Sequence, residues 1–217
     1  SEADSISVYL TPSGHTGDAP PSAEPGSNGL LLDAEGRLVL AQHGDRRVAR
    51  MDAPLNDPAP RFVTLADRYD GKRLNSPNDA VYHSSGALYF TDPPYGLPQQ
   101  ADDPTRELDF QGVYRVDSTG TVTLLTDELS RPNGLAFSPD EQTLYVANSD
   151  PERAIWMAYD VAAVQQVTDA DEELLLISAH GQVIRTETNT INRYSSSARG
   201  VIVKRLAEGD RVAAIAA

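Results

Sequence analysis

One asparagine frame occurs three times in this 217-residue chain and constrains its possible folds more than any other feature. Asn28, Asn78 and Asn133 each open a stretch in which a leucine follows 10 or 11 residues later. The asparagines are 50 and 55 residues apart. A repeat of short strands with a period near 50 residues is typical of β-propeller blades. The repeat therefore predicts an all-β fold in which successive blades present equivalent asparagines at one channel.

Strand and turn patterns fill the three repeats and continue beyond them. Apolar stretches separated by Gly-, Asn- or Asp-containing turns predict strand–turn–strand units. The strands predicted in the first part are 30–33, 38–42, 48–52, 80–83, 87–91, 113–117, 122–125, 135–138, 143–147 and 155–160. Those predicted later, without the asparagine frame, are 173–178, 183–186, 200–205 and 211–215. The sequence thus predicts a β-propeller of four-stranded blades over 1–160 and a further blade over 161–217.

Composition restricts the classes of function. The net charge of −14 is carried almost wholly by residues 1–160, which hold 12 Lys and Arg against 25 Asp and Glu. Such an acidic surface argues against binding a polyanion such as nucleic acid. The chain has no apolar run of about 18 residues, which argues against a transmembrane helix, and no cysteine. We therefore expect a soluble protein, cytoplasmic or exported, that acts on neutral small molecules and binds cations.

Polar side chains at the ends of the paired strands are expected to share one mouth of the channel. This set comprises Asn28, His43, Asn78, Asp92, Asn133 and Asp150. Because it is rich in oxygen and lacks sulfur, it suits Ca²⁺ or another hard divalent cation. Such a cation polarises a carbonyl or phosphoryl oxygen, and a nearby carboxylate activates water. Arg73 is close enough to Asn78 in the sequence to line the same mouth.

Purely structural roles are the alternatives for these residues. Asn-Gly and Pro-Asn are ordinary turn formers, so each asparagine taken alone fits a turn. Asp92, within Thr-Asp-Pro-Pro, also fits a turn cap, and His43 also fits a structural position. A serine hydrolase of the nucleophile-elbow type is disfavoured because no Gly-x-Ser-x-Gly motif occurs.

Three segments resemble the senescence-marker-protein/gluconolactonase/luciferin-regenerating family: 27–52, 73–97 (RLNSPNDAVYHSSGALYFTDPPYGL) and 131–150 (RPNGLAFSPDEQTLYVANSD). The resemblance covers roughly residues 5–160. It implies a six-bladed β-propeller with Ca²⁺ or a related ion in its channel. It also implies hydrolysis of lactones or, in some relatives, of phosphotriesters. By motif, the two metal-binding asparagines of the family correspond to Asn78 and Asn133, and Asn28 corresponds to a position that contacts substrate.

Two motifs of that family are missing. We find no metal-binding Glu in a Glu-Gly-Pro type motif before Asn28, and no Pro-Asp-Gly motif near residue 185. We therefore expect about three of the six blades, with Asp150 or Asp92 replacing the missing carboxylates as metal ligand and base.

The C-terminal segment resembles a different family. Residues 164–217, through LLLISAHGQVIRT, ARGV and RLAEGDRV, resemble one blade of the C-terminal domain of the gyrase A protein. That domain wraps DNA, but this segment is slightly acidic and lacks the short basic glycine-rich box. About four blades would then close as a small propeller or associate as two chains. We expect a homodimer, because a C₂ pair is the commonest way to bury exposed sheet faces.

The sequence as a whole predicts a Ca²⁺-dependent hydrolase of lactones or phosphotriesters. The predicted metal ligands are Asn78 and Asn133, the catalytic residues Asp150 and Asp92, and the substrate contacts Asn28, His43 and Arg73. One alternative is a catalytically silent chimera with a structural role. A less favoured alternative is a DNA-binding module that uses the gyrase-like blade.

Overall fold

A computed structural model describes residues 6–17 and 24–162, together with the strands 173–178, 183–187 and 212–216. The chain divides into two compact units, 1–161 and 162–217. Across the described residues the secondary structure is almost entirely antiparallel strand, with single 3-10 turns at Gln100–Asp102 and Pro151–Arg153. The prediction of an all-β fold is therefore confirmed.

The first sheet is a four-stranded meander. Its strands are β1 (Ser27–Leu32), β2 (Leu38–Gln42), β3 (Arg47–Met51) and β4 (Phe62–Ala66), and they pair in that order. Gly36 supplies a φ of +74° in the turn between β1 and β2, a conformation that costs glycine little. The sequence patterns did not reveal β4, because a long polar loop rather than a tight turn precedes it.

The second and third sheets repeat this design. A short hairpin of β5 (Arg68–Tyr69) and β6 (Lys72–Arg73) leads into the second sheet. The second sheet contains β7 (Ala80–Tyr82), β8 (Leu88–Asp92), β9 (Gly112–Val116) and β10 (Val122–Thr126). The third contains β11 (Pro132–Phe137), β12 (Thr143–Asn148) and β13 (Ile155–Asp160). The inner strand β7 lies between β1 and β11 and contacts both, as in consecutive propeller blades.

The main core lies between the first and second sheets. Val39 and Val48 of the first sheet pack in one cluster with Phe90 and Tyr114 of the second, and all four are fully buried. The rings of Phe90 and Tyr114 stack with their centroids 5.1 Å apart. This packing fixes the two sheets against each other and so fixes the relative position of their inner strands.

The second unit contains a three-stranded antiparallel sheet. Its central strand β14 (Glu173–Ser178) pairs with β15 (Val183–Glu187) on one side and with β16 (Val212–Ala216) on the other. All three strands overlap strands predicted from the sequence. The predicted strand 200–205 lies outside the described residues.

Large apolar side chains are exposed on the first and third sheets. On β1, Leu30 and Leu32 are 60 % and 52 % exposed. On the third sheet, Tyr145 is 42 % and Trp156 is 83 % exposed. The strand register puts Tyr145 and Trp156 on the same face. In the part of the chain that the structure describes, no helix has the length and apolar character required to cross a membrane.

Candidate active site

Direct hydrogen bonds join the three asparagine segments. The backbone N–H of Gly29 donates to the carbonyl of Asn78 over 2.7 Å. The hydroxyl of Thr91 donates to the carbonyl of Asn133, also over 2.7 Å. The inner ends of the first, second and third sheets are thereby held together. The structure thus brings Asn28, Asn78 and Asn133 into one region, as the repeat predicts.

Two of the asparagines lie in irregular parts of their strands. The register of β1 against β2 shifts between Ser27 and Leu30, around Asn28. The register of β11 against β12 shifts between Pro132 and Leu135, around Asn133. Bulges of this kind redirect side chains and are common beside active sites. The Asn-Gly pairs therefore interrupt strands rather than form the tight turns they would form in a hairpin.

The side-chain amides of Asn78 and Asn133 are oriented by protein acceptors. The residue Asn78 is 2 % exposed, and its Nδ2 atom lies 3.4 Å from Nε2 of His43. The Nδ2 atom of Asn133 lies 3.4 Å from Oγ of Ser149, which also contacts the Tyr95 hydroxyl. Within the described residues neither Oδ1 atom has a hydrogen bond. Both amide oxygens can therefore accept a hydrogen bond from another group or bind a cation.

His43 is buried beneath Asn78. It follows β2 directly, is 2 % exposed, and lies with Nδ1 3.3 Å from Oε2 of Glu24. Burial lowers the pKa of His43, while the Glu24 carboxylate opposes this shift. The sequence predicts that His43 contacts substrate. Its ring nitrogens lie beside Asn78 and Glu24, and its contact with substrate stays a prediction.

Asp92 supports the segment that carries Asn78. Its carboxylate is fully buried and accepts the backbone N–H groups of Asn75 and Ser76, each over 2.7 Å. Burial raises the pKa of Asp92 to about 7, and the two backbone donors oppose the shift. The sequence predicts a catalytic role for Asp92. Backbone donors occupy both of its oxygens, so Asp92 supports this segment, and its catalytic role stays a prediction.

The third sheet contains an equivalent support. The Oδ1 atom of Asn148 accepts the backbone N–H of Arg131 over 2.7 Å, from 17 residues earlier in the chain. The same separation of 17 residues joins Asp92 to its first donor. In the first sheet the corresponding pair is Gln42 and Pro25, and proline has no N–H to donate. The Gln42 side chain donates to the carbonyl of Ser13 instead, over 2.7 Å.

Asp150 and Arg73 make local contacts. Asp150 accepts the hydroxyl of Ser130 over 2.5 Å and the backbone N–H of Glu152 over 3.0 Å. The hydrogen bond from Ser130 is the largest cause that lowers the pKa of Asp150. Arg73 donates from Nη2 to the carbonyl of Asp45 over 3.3 Å. Asp150 therefore remains a partly exposed carboxylate, and the guanidinium of Arg73 is directed to the loop after β2.

Asp79 is a residue of this region that the sequence patterns did not single out. Its Oδ2 atom accepts the backbone N–H of Leu135 over 3.3 Å, which links the second and third sheets. A Cβ atom on Gly29 would lie 2.6 Å from its Oδ1 atom. The repeat itself contained the signal: Asn-Asp stands in the second repeat where the first and third have Asn-Gly. The glycines leave space into which the Asp79 carboxylate fits.

The donor set agrees with a hard cation in its chemistry. Amide and carboxylate oxygens are the ligands that Ca²⁺ prefers, and it takes six to eight of them. Within the described residues, no three His, Cys, Asp or Glu side chains form a group of the kind that holds a metal ion. A cation here would therefore rely on the amide oxygens of Asn78 and Asn133.

Known lactone hydrolases share much of this sequence. A family model described as SMP-30/Gluconolactonase/LRE-like region matches residues 7–202. Over 147 residues the chain is 44 % identical to a gluconolactonase of Zymomonas mobilis, covering 67 % of this chain and 40 % of that protein. Over 92 residues it is 36 % identical to lactonohydrolase oryL of Aspergillus oryzae, covering 42 % of this chain and 21 % of that protein.

The solved structures include a relative with the same fold. A gluconolactonase from Xanthomonas campestris aligns with a TM-score of 0.53 and 40 % identity, covering 63 % of this chain and 44 % of that one. The chain thus spans less than half the length of these relatives. The family match also continues past residue 160 into the gyrase-like segment. The gyrase-like origin of that segment stays a hypothesis.

Proposed function

Because the chain belongs to the SMP-30/gluconolactonase/LRE-like family, we propose that it takes part in hydrolysis of lactones with a divalent cation, Ca²⁺, as cofactor. Relatives named gluconolactonase and lactonohydrolase support the substrate class. The observation that carries the cation is the orientation of two amides. His43 and Ser149 hold the nitrogens of Asn78 and Asn133, and the oxygens are left to bind the ion.

The proposed reaction adds water to the lactone carbonyl carbon. The ring C–O bond breaks, the ring oxygen takes up a proton, and a hydroxy acid forms. When bound, the cation supplies a Lewis acid that polarises the carbonyl oxygen. Asn78 and Asn133 would hold it through Oδ1, with water and substrate completing its shell. Exposed Asn28, in the bulge of β1, is proposed to contact the substrate.

In the proposed reaction a carboxylate accepts a proton from the attacking water. Asp150 is the candidate that remains partly exposed, and its lowered pKa keeps it ionised at neutral pH. Asp79 is the second candidate because it lies among the three asparagine segments. Comparison of kcat for Asp150→Asn and Asp79→Asn assigns the base. An Asp150→Asn variant with the wild-type kcat would exclude Asp150.

Chelation provides the direct test of the cofactor. We expect the chain to hydrolyse a panel of aldonolactones, and we expect EDTA to abolish this hydrolysis and added Ca²⁺ to restore it. Continuous titration of the acid released measures the rate. Hydrolysis that survives exhaustive chelation would contradict the cation mechanism. A matched panel of phosphotriesters tests whether the chain also hydrolyses the second substrate class that the sequence predicts. Turnover of neither class, with a folded chain, would favour the silent alternative.

Asn133→Ala tests the ligand assignment. Because it removes one of two proposed protein ligands, we expect both Ca²⁺ affinity and kcat/KM to fall at least about 10-fold. Asn56→Ala, which truncates an exposed loop asparagine, is the matched control and should leave both unchanged. If Asn133→Ala has the Ca²⁺ affinity and kcat/KM of the wild type, Asn133 is not a ligand of the cation.

We also propose that two copies of the chain associate through exposed sheet faces. The support is apolar: Leu30 and Leu32 on β1, and Tyr145 and Trp156 on the third sheet, are exposed to water. Contiguous exposed apolar surface marks interaction sites in soluble proteins.

A further inference from the structure

His43 occupies a fixed position between a carboxylate and an amide. Its Nδ1 atom is 3.3 Å from Oε2 of Glu24, and its Nε2 atom is 3.4 Å from Nδ2 of Asn78. Its backbone is held as well, because its N–H donates to the carbonyl of Gly26 over 3.2 Å. Gly96 packs directly on it, since a Cβ atom there would lie 3.0 Å from the Cβ of His43. The imidazole therefore has little freedom to turn.

The chemistry of these three groups determines one tautomer. An amide nitrogen can only donate hydrogen bonds, and an ionised carboxylate can only accept them. Nε2 of His43 must therefore accept from Asn78, and Nδ1 must carry the proton and donate to Glu24. The partner of one ring nitrogen thus sets the role of the other. If the Asn78 amide rotated by half a turn, its oxygen would face the lone pair of Nε2, which is unfavourable.

We propose that Glu24 and His43 form a positioning pair that locks the amide of Asn78 with its oxygen directed to the cation. Neither residue of the pair touches the substrate. The proposal rests on the proposed function in one respect, namely that a divalent cation is the ligand of Asn78. Asn133 is oriented separately by Ser149. Disruption of the pair therefore weakens one ligand and leaves the other in place.

The tautomer of His43 is measured first, without any cation. In two-bond ¹⁵N–¹H correlation spectra of the labelled chain, His43 should show a protonated Nδ1 and an unprotonated Nε2. Glu24→Met removes the acceptor from a side chain that is 59 % exposed, so the fold is kept. In this variant the His43 signals should shift towards a mixture of tautomers. A protonated Nε2 in the wild-type chain would overturn the proposal.

Cation affinity is measured second, by calorimetry with Ca²⁺ alone. We expect Glu24→Met and His43→Phe to bind Ca²⁺ about 10- to 100-fold more weakly, the usual effect of losing a partner that orients a metal ligand. His43→Gln keeps an acceptor for Asn78 and should recover part of the loss. Glu35→Met and His83→Phe make the same changes elsewhere and should bind as the wild type does.

Kinetics separate positioning from substrate contact. At saturating Ca²⁺ the KM for the lactone in Glu24→Met and His43→Gln should return to the wild-type value, because the weakened cation site is then fully occupied. A raised KM under these conditions would place His43 in contact with the substrate and overturn the proposal. Wild-type Ca²⁺ affinity in both Glu24→Met and His43→Phe would overturn it too, while leaving the proposed function intact. If the wild-type chain itself binds no Ca²⁺, the proposed function fails, and the tautomer measurement alone decides whether His43 orients Asn78.

Discussion

At the scale of single residues, Asp92 is a carboxylate that the fold removes from water. Burial raises its pKa to about 7 from the usual value of 3.8. The folded chain therefore binds this proton more tightly than the unfolded chain does. The resulting stabilisation is fully present below about pH 4 and is lost as the pH rises through about 7.

This linkage gives a prediction for stability. The free energy of unfolding of the wild type, relative to that of Asp92→Asn, should fall between about pH 4 and pH 7, by about 4 kcal/mol at most. Urea denaturation at several pH values measures both proteins, and groups common to both cancel in the difference. A difference that stays constant over this range would show that Asp92 does not titrate there.

Gly29 provides a second prediction at this scale. A methyl group at position 29 would lie 2.6 Å from Oδ1 of Asp79 and 2.9 Å from the carbonyl of Asn78, so the neighbouring segment must move. We expect Gly29→Ala to destabilise the chain by about 1–3 kcal/mol and to reduce Ca²⁺ affinity. Gly26→Ala is the control, because nothing lies within 4 Å of its added Cβ. Equal midpoints of thermal unfolding for the two variants would contradict the close approach.

At the scale of strands, β8 connects the second and third repeats through Thr91. Its hydroxyl accepts the backbone N–H of Asp79 over 3.2 Å and donates to the carbonyl of Asn133 over 2.7 Å. Its own carbonyl accepts the N–H of Asn78 over 2.9 Å. One fully buried side chain thus sets the separation between the two proposed metal ligands.

Thr91→Val keeps the shape of this side chain and removes its hydroxyl. We expect a loss of about 1–3 kcal/mol in unfolding free energy, because a partly buried N–H and a partly buried carbonyl lose their partner. Ca²⁺ affinity should fall with it. Thr123→Val, on the outer strand β10, should change neither quantity. Calorimetry measures the Ca²⁺ affinity of both variants, and denaturation measures their unfolding free energy. A wild-type Ca²⁺ affinity in Thr91→Val would show that the Thr91 hydroxyl does not position the metal ligands.

The strands were largely predictable because their signals are local. Turn glycines such as Gly36 and alternating apolar residues revealed the first three strands of the first sheet and all of those in the second and third. The bulges around Asn28 and Asn133 were not predictable, since a bulge exists only in the pairing of two strands. The orientation of Asp92 was hidden for a similar reason. The side chain of a residue that ends a strand can point to the channel or to the adjacent loop. For Asp92 the hydrogen bond from the backbone N–H of Asn75, 17 residues earlier, fixes the direction of the carboxylate.

At the scale of the whole molecule, exposed apolar sheet faces remain on a strongly acidic chain. Leu30 and Leu32 lie on the exposed face of β1, and Trp156 and Tyr145 lie on one face of the third sheet. The relatives are more than twice as long as the segments that align with this chain. In a propeller, further blades pack against faces of this kind.

The proposed association predicts a concentration-dependent mass. Light scattering should give about twice the formula mass of 23.4 kDa at high concentration. Leu30→Ser should shift the equilibrium towards the single chain, because it removes exposed apolar surface from β1. Leu55→Ser, which changes an exposed loop leucine, should not. A monodisperse particle of the formula mass at every concentration would refute the dimer.

The placement of Trp156 has a practical consequence. It is the only tryptophan in the chain and stands on the exposed face of the third sheet. Its indole fluorescence therefore comes from a single, known surface position, with no background from a second indole. Emission from an indole in water lies at longer wavelength than from one that is covered. A blue shift, or protection from an aqueous quencher, would thus report directly on whatever binds this face, without any label.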